Sequence, residues 1–268
     1  MTRPSQVTPE QADRSASWVE ALSQGLAVLR AFDGQHGGLT LTEIAQKLGW
    51  SRTKPYRYIY TLEQLGYLER QEGSKRYRPT SLTMALGYSY LSGLSLLELA
   101  QPVLERLKNE LGASVHMGIL ERGEVVYIAS ARVSVVPAVD IYVGSRVAPH
   151  VTSLGRALMS AMDDEQVDAL IGTGELPAST ARSITDPQAF RQMLRQSRER
   201  GYVFTDEEFH PGVRSIAAPI RDRRGEVVAA INATSIVQKF SDAWLAEQVI
   251  PRVMAAASEI SRSMGFRS

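Results

Sequence analysis

Five residues between positions 52 and 60 carry hydrogen-bonding chemistry at helical spacing. Thr53, Arg57 and Tyr60 stand three or four apart, as do Arg52 and Tyr56, largely opposite an apolar stripe of Ile59, Leu62 and Leu65. The outer face of such a helix is basic and aromatic. A guanidinium pairs bidentately with a guanine edge and Ser, Thr or Tyr hydroxyls hold phosphates, so this face suits the major groove of DNA. Lys54 adds a further cation, and Arg70, Lys75 and Arg76 follow within twenty residues. Residues 47–78 hold eight basic against three acidic side chains, net +5, whereas the whole 268-residue chain is only +1. A confined basic block on a near-neutral chain points to a local polyanion-binding face. Charge alone leaves open an ordinary solvated face.

The surrounding sequence supplies elements able to hold that face. Leu22, Leu26, Leu29 and Phe32 recur at helical spacing until Gly34, Gly37 and Gly38 end the run. Thr40 and Glu43 have capping-box spacing ahead of Ile44, Ala45 and Leu48, and Gly49 closes this short second helix. Thr53 is the expected cap of the third helix, with Pro55 in its first turn, where proline costs little. Residues 67–70 and 76–78 flank Gly73 and Ser74 as a hairpin with a basic tip. Three helices and a basic hairpin describe a winged helix-turn-helix. Residues 81–93, with Leu82, Leu86, Tyr90 and Leu91 near helical spacing, predict a linker helix, and residues 96–111 a further helix containing Pro102.

From Ala113 the period becomes that of strands, over 115–120, 125–131 and 140–143. Ser153 is the expected cap of a helix reaching residue 162; further helices are predicted over 163–171 and 186–200. Strands over 213–220 and 226–236 form an antiparallel hairpin, and a last helix presents Leu245, Val249, Val253, Ala256, Ile260 and Met264 on one face. Strands and helices that do not alternate regularly predict an α+β fold. The expected domains are a mobile arm over 1–16, the winged helix-turn-helix over 17–80, a linker over 81–95 and an α/β domain over 96–268.

Composition narrows the chemistry. The longest apolar runs are five residues, as at 227–231, against about 20 for a spanning helix, and the polar start MTRPSQVTPEQADRS lacks a signal-peptide hydrophobic region, so the expected compartment is the cytoplasm. Zero cysteines remove disulfides, Cys-ligated zinc and thiol nucleophiles. His36, His116, His150 and His210 form no metal-pair spacing, and the chain has no phosphate loop, nucleophile elbow or dinucleotide fingerprint. No cofactor, no metal and no catalytic residue is expected. An enzyme acting on a small carboxylic acid, with an accessory DNA-binding domain, remains the rival reading, because Ser153, His150 and Asp206 could assemble from a distance.

SQGLAVLRAF, LTLTEIAQKLGWSRTKPYRYIYTLEQLGYL and the wing resemble the DNA-binding domain of the IclR (isocitrate lyase regulator) family of bacterial transcription factors. HVTSLGRALMSAM, GYVFTDEEFHPGVRSIAAPI and RGEVVAAINATS resemble its effector domain, so the likeness runs over roughly residues 17–265. VYIASARV and VGSRVAPHVTSLGRALM are most similar to the branch regulating protocatechuate and 4-hydroxybenzoate catabolism through the β-ketoadipate pathway. The resemblance implies a GAF/PAS-like effector domain, a homodimer or a dimer of dimers (homotetramer) on double-stranded operator DNA, and a small-molecule carboxylate effector. It also implies a pocket lined by Ser153, Leu154, Thr205, Ser215, Asn232 and Thr234. Neutral hydroxyls and an amide at a helix start suit a carboxylate. Arg132, His150 and Arg156 are weaker candidates: Arg156 reads equally as a solvated or inter-subunit ion-pair residue, His150 as a satisfied histidine. Residues 206–208 read as a surface acidic turn able to pair with Arg214.

Overall fold

A computed structural model describes residues 18–32, 37–91, 95–133 and 141–267, in two compact units that divide between residues 93 and 94. The predicted arm lies outside the described residues.

The N-terminal unit runs α1 (Glu20–Arg30), β1 (Leu39–Thr40), α2 (Leu41–Leu48), α3 (Tyr56–Gln64), β2 (Leu68–Arg70), β3 (Arg76–Pro79) and α4 (Leu82–Leu91). Thr40 and Glu43 cap α2 reciprocally: Glu43 N–H donates to Thr40 Oγ1 (3.3 Å) and Thr40 N–H to the Glu43 carboxylate (2.7 Å). Those Thr40 bonds, followed by the Arg76 charge, hold the Glu43 carboxyl below its usual range. Val28, Phe32, Leu39, Ile44, Ile59 and Leu68 form the core beneath the helices. Strand β1 was not expected; it pairs with β3 (Leu39 opposite Tyr77), making a three-stranded sheet of order β1-β3-β2.

Three expectations are corrected in this unit. Helix α1 buries Gln24 and Val28, whereas Leu22 and Leu26 are exposed at 64% and 42%. Leu65 is also exposed, and Tyr58 joins Ile59 on the buried side of α3. Thr53 does not cap α3: residues 52–55 form a turn, and Pro55 takes the cap position with its carbonyl accepting from Tyr58 and Ile59 N–H. Proline has no N–H to lose there, so the position is cheap for it.

The C-terminal unit begins with α5 (Ser95–Leu111), followed by β4 (Ser114–Glu121), β5 (Glu124–Ala131), β6 (Arg146–Val147), a 3-10 turn (Pro149–Val151), α6 (Ser153–Met159), α7 (Asp164–Ile171) and α8 (Pro187–Arg200). Strands β7 (Val203–Asp206), β8 (Val213–Arg221) and β9 (Val227–Ile236) come next; α9 (Asp242–Trp244), a π-turn (Leu245–Val249) and α10 (Ile250–Ser263) end the chain. The six strands form one antiparallel sheet, order β6-β5-β4-β9-β8-β7. Alternation assigns its faces. Ala217 and Ala230 pack with Leu154 of α6, while Ile216, Ala218, Ile231 and Ala233 point the other way and are covered by α5 and α10. The strand expected over 140–143 is absent at 141–143, residue 140 lying outside the described residues; the local strand is β6, paired with β5. Helix α6 ends at Met159 rather than 162. Its cap is Thr152, whose Oγ1 accepts from Gly155 N–H at 3.0 Å, and not Ser153. Gly155 is required there, because a Cβ would sit 2.2 Å from Pro149 O.

Candidate functional site

Two sites follow from the two units. On the first, Arg52, Thr53 and Lys54 occupy the turn leading into α3, and Tyr56, Arg57 and Tyr60 its outward face, all exposed. Tyr56 and Tyr60 stack at 6.4 Å between ring centres. Arg57 lies over the Tyr58 ring and donates to its hydroxyl at 2.7 Å, and Lys54 lies 4.5 Å from the Trp50 ring centre. Ring contacts of this kind hold long cationic side chains in place while leaving their heads in solvent. The hairpin cations differ among themselves. Arg76 is committed to the fold through Gly38 O (2.7 Å) and Glu43 (3.0 Å), and Arg70 donates to Ser74 O at 3.2 Å. Lys75 at the hairpin tip has no partner among the described residues. An exposed basic face on a helix beside a basic hairpin can neutralise phosphates and present donors to base edges.

The second site is a cavity of about 40 Å³ between α6 and the sheet. Because Thr152 takes the cap, the Ser153 hydroxyl is free to turn inward, where it lies 2.7 Å from Ser215 Oγ. Ser215 Oγ is 2.9 Å from Thr234 Oγ1, and Asn232 Nδ2 donates to both serine hydroxyls at 3.2 and 3.1 Å. Thr205 Oγ1 donates to Ser215 O at 3.4 Å. Ser153, Thr205, Ser215 and Asn232 are buried and Thr234 is half-buried, and the Asn232 amide oxygen has no partner among the described residues. An unsatisfied buried acceptor costs about 1–3 kcal/mol, so the cluster is built to receive one more group. The serine hydroxyls can donate as well as accept, so rotating the amide would let them bond its oxygen and turn its two N–H donors toward an anion.

Five of the six residues expected to bind an effector therefore border this cavity: Ser153, Thr205, Ser215, Asn232 and Thr234. Leu154 does not. Its side chain is fully buried against Gly118 and the core. Arg132, a weaker candidate, borders the cavity too, and Ser114, His116, Tyr127, Ile141 and Phe209 border it without having been assigned to it. The alternation of β4, which puts Ser114 and His116 on one face, was the available signal; its register against β9 was not visible in the sequence.

Arg156 corrects its expectation. It is only 1% exposed, and its guanidinium donates to His150 O (2.8 Å) and Glu208 (2.7 Å) of the same chain. Glu208 is consequently not part of a surface turn. Asp206 does pair with Arg214, at 2.6 Å. His150 is satisfied by Pro177 O at 3.0 Å and lies outside the cavity lining; burial lowers its pKa. The described residues contain no cluster able to hold a metal and no helix long and apolar enough to cross a membrane.

The model of the bacterial transcriptional regulator IclR C-terminal region matches residues 88–262, and that of the IclR helix-turn-helix domain matches residues 21–72. The Pca regulon regulatory protein of Pseudomonas putida is 34% identical over 248 residues, covering 92% of this chain and 84% of its own. The p-hydroxybenzoate hydroxylase transcriptional activator of Acinetobacter baylyi is 31% identical over 255 residues, covering 92% of each. A crystal structure from Rhodococcus sp. RHA1 is similar throughout, with 34% identity, a TM-score of 0.81 and coverage of 92% and 98%.

Proposed function

Since the chain belongs to the IclR family of bacterial transcriptional regulators, we propose that its C-terminal unit senses a small aromatic carboxylic acid and thereby controls genes of aromatic catabolism from the cytoplasm. The chain is a DNA-binding regulator, as the names of its relatives are, and not the enzyme held beside that reading. Operator contacts fall to Arg52, Thr53, Lys54, Tyr56 and Arg57, with Arg70, Lys75 and Arg76 on the hairpin. One such helix reads only a few base pairs, so useful specificity asks for a homodimer, or a dimer of dimers, on an inverted repeat. Helix α4 is the linker in this reading.

The observation that carries the proposal is the convergence of Ser153, Thr205, Ser215, Asn232 and Thr234 on one buried cavity with an unsatisfied acceptor. Leu154 contributes through its backbone at the start of α6. A water needs about 10–15 Å³ of such space, so a cavity of about 40 Å³ holds a few waters and must widen to seat an aromatic ring. A ligand that binds only the widened state favours that state, which is how occupancy would reach the DNA. Calorimetry with protocatechuate, 4-hydroxybenzoate and β-ketoadipate tests the assignment. Asn232→Leu is expected to weaken binding by about 1–3 kcal/mol, more than loss of one hydroxyl. Tight binding that survives the substitution unchanged would move the effector elsewhere.

A further inference from the structure

The register of the sheet lines up the polar residues of the cavity in two rows. Thr205 of β7 stands opposite Ser215, Ser215 opposite Thr234, and Thr234 opposite Ser114 of β4. Val115 pairs with Ala131, so the next position along β5 brings Arg132 beside Ser114, and Val133 N–H donates to Ser114 Oγ at 3.3 Å. The neighbouring row runs Asn232, His116, Ser130. The cavity thus has two ends of different chemistry. At β8, β9 and α6 lies the neutral cluster of hydroxyls and amide. At β4 and β5 lie His116 and Arg132, and among the described residues no carboxylate lines the cavity.

The second end offers donors at the mouth of the cavity rather than a buried acceptor. Arg132 is exposed and has no hydrogen-bond or ion-pair partner among the described residues. His116 Nδ1 is 3.0 Å from Ser130 Oγ, its ring and that of Tyr127 stand nearly perpendicular at 5.7 Å, and Nε2 has no hydrogen-bond partner among the described residues. Burial, followed by the Arg132 charge, pushes the imidazole down to about 4, so it is neutral at pH 7. When Ser130 Oγ donates to Nδ1, the single proton of the neutral imidazole sits on Nε2, and that N–H beside the exposed Arg132 guanidinium is a site for an oxygen anion.

We propose that Arg132, supported by His116, is a specificity-determining residue that holds the second anionic group of the effector, so that the cavity takes a small dicarboxylate lengthwise. The claim rests on the effector reading above and adds the ligand class to it. One carboxylate occupies the cluster around Ser153, Ser215 and Asn232, and the other meets Arg132 at the mouth. Two interstrand spacings of about 4.8 Å separate Thr234 from Arg132, a span that a benzene ring or a short aliphatic chain bridges once the arginine side chain folds back.

The test is calorimetry of the full-length protein with benzoate, 4-hydroxybenzoate and benzene-1,4-dicarboxylate, which differ only in the group opposite the first carboxylate. Wild type is expected to bind the dicarboxylate tightest. Arg132→Gln should weaken that ligand by about tenfold or more while leaving benzoate unchanged, and Arg132→Lys should recover part of the loss. Equal effects of Arg132→Gln on all three acids, or none on any, overturn the proposal. If Asn232→Leu still weakens binding in that case, the effector cavity stands and only the role of Arg132 falls. If no acid binds wild type, both readings fall together.

Discussion

The N-terminal unit displays its polar chemistry and the C-terminal unit encloses it. Around α3 the cations sit on an exposed surface, steadied by aromatic rings and a few hairpin contacts. Around α6 the serine hydroxyls and the Asn232 amide are buried and bonded to one another, and the buried guanidinium of Arg156 spans from the His150 carbonyl to Glu208. A surface that meets a phosphate backbone needs charges that stay hydrated until contact. A cavity that discriminates among small acids needs groups fixed beforehand, because each unpaired one is costly. Substitutions of the buried polar groups around α6 should therefore affect folding as well as binding, and those of the exposed cations around α3 binding alone.

The largest effect is expected at Arg156. Removing one member of a buried ion pair strands the other, at about 3–5 kcal/mol, so Arg156→Met should lower the unfolding free energy of the C-terminal unit by that order in urea titrations. Glu208→Gln made together with it should recover part of the loss. An Arg156→Met protein as stable as wild type would show that this pair is no more than a surface contact and would erase the contrast between the units.

How far the sequence reaches differs between the units in the same way. The capping box at Thr40, the stripe that buries Ile59 and the hairpin are local patterns, and they appear in the structure. Helix α1 misleads because periodicity reports an apolar face without saying what it meets: Leu22 and Leu26 are exposed in a single chain, and Val28 and Phe32 carry the packing. In the C-terminal unit the resemblance supplied Ser153, Thr205, Ser215, Asn232 and Thr234, whereas finding His116, and placing the weaker candidate Arg132 beside it, depend on which residues of β4 and β5 stand opposite β9. That register follows from long-range pairing and a bulge at Met117/Gly118, which no local pattern encodes. The one-residue shift of the α6 cap to Thr152 is smaller in sequence and larger in consequence, since it frees Ser153 for the cavity.

A second test probes the enclosed unit through protons. His116 has its pKa lowered to about 4, first by burial and then by Arg132, against 6.5 for the free side chain. The folded state therefore disfavours the charged form. Its contribution is fully present above about 6.5 and is lost as pH falls toward 4, to the order of 3 kcal/mol. His116→Gln should remove much of the stability slope in that window. A slope unchanged by the substitution would mean that the imidazole titrates freely and that this end of the cavity is open to water.

The smallest effects belong to the hairpin, where Lys75 and Arg76 are neighbours with different duties. Arg76 ties β3 to Glu43 and to Gly38 O, so Arg76→Ala should cost some stability as well as any phosphate contact. Lys75 has no partner among the described residues, so Lys75→Ala should leave unfolding within about 0.5 kcal/mol of wild type. On DNA its loss should weaken operator and unrelated sequence alike and flatten the dependence of log affinity on log salt by about one unit, as expected for one neutralised phosphate. Operator titrations at several salt concentrations separate the outcomes. If Lys75→Ala keeps the full salt slope while Arg76→Ala changes it, the arginine bonded into the fold is also the phosphate contact, and display and enclosure are no longer divided between the units. If the slope flattens with stability intact, the hairpin tip is a purely electrostatic element, its charge held in solvent for DNA.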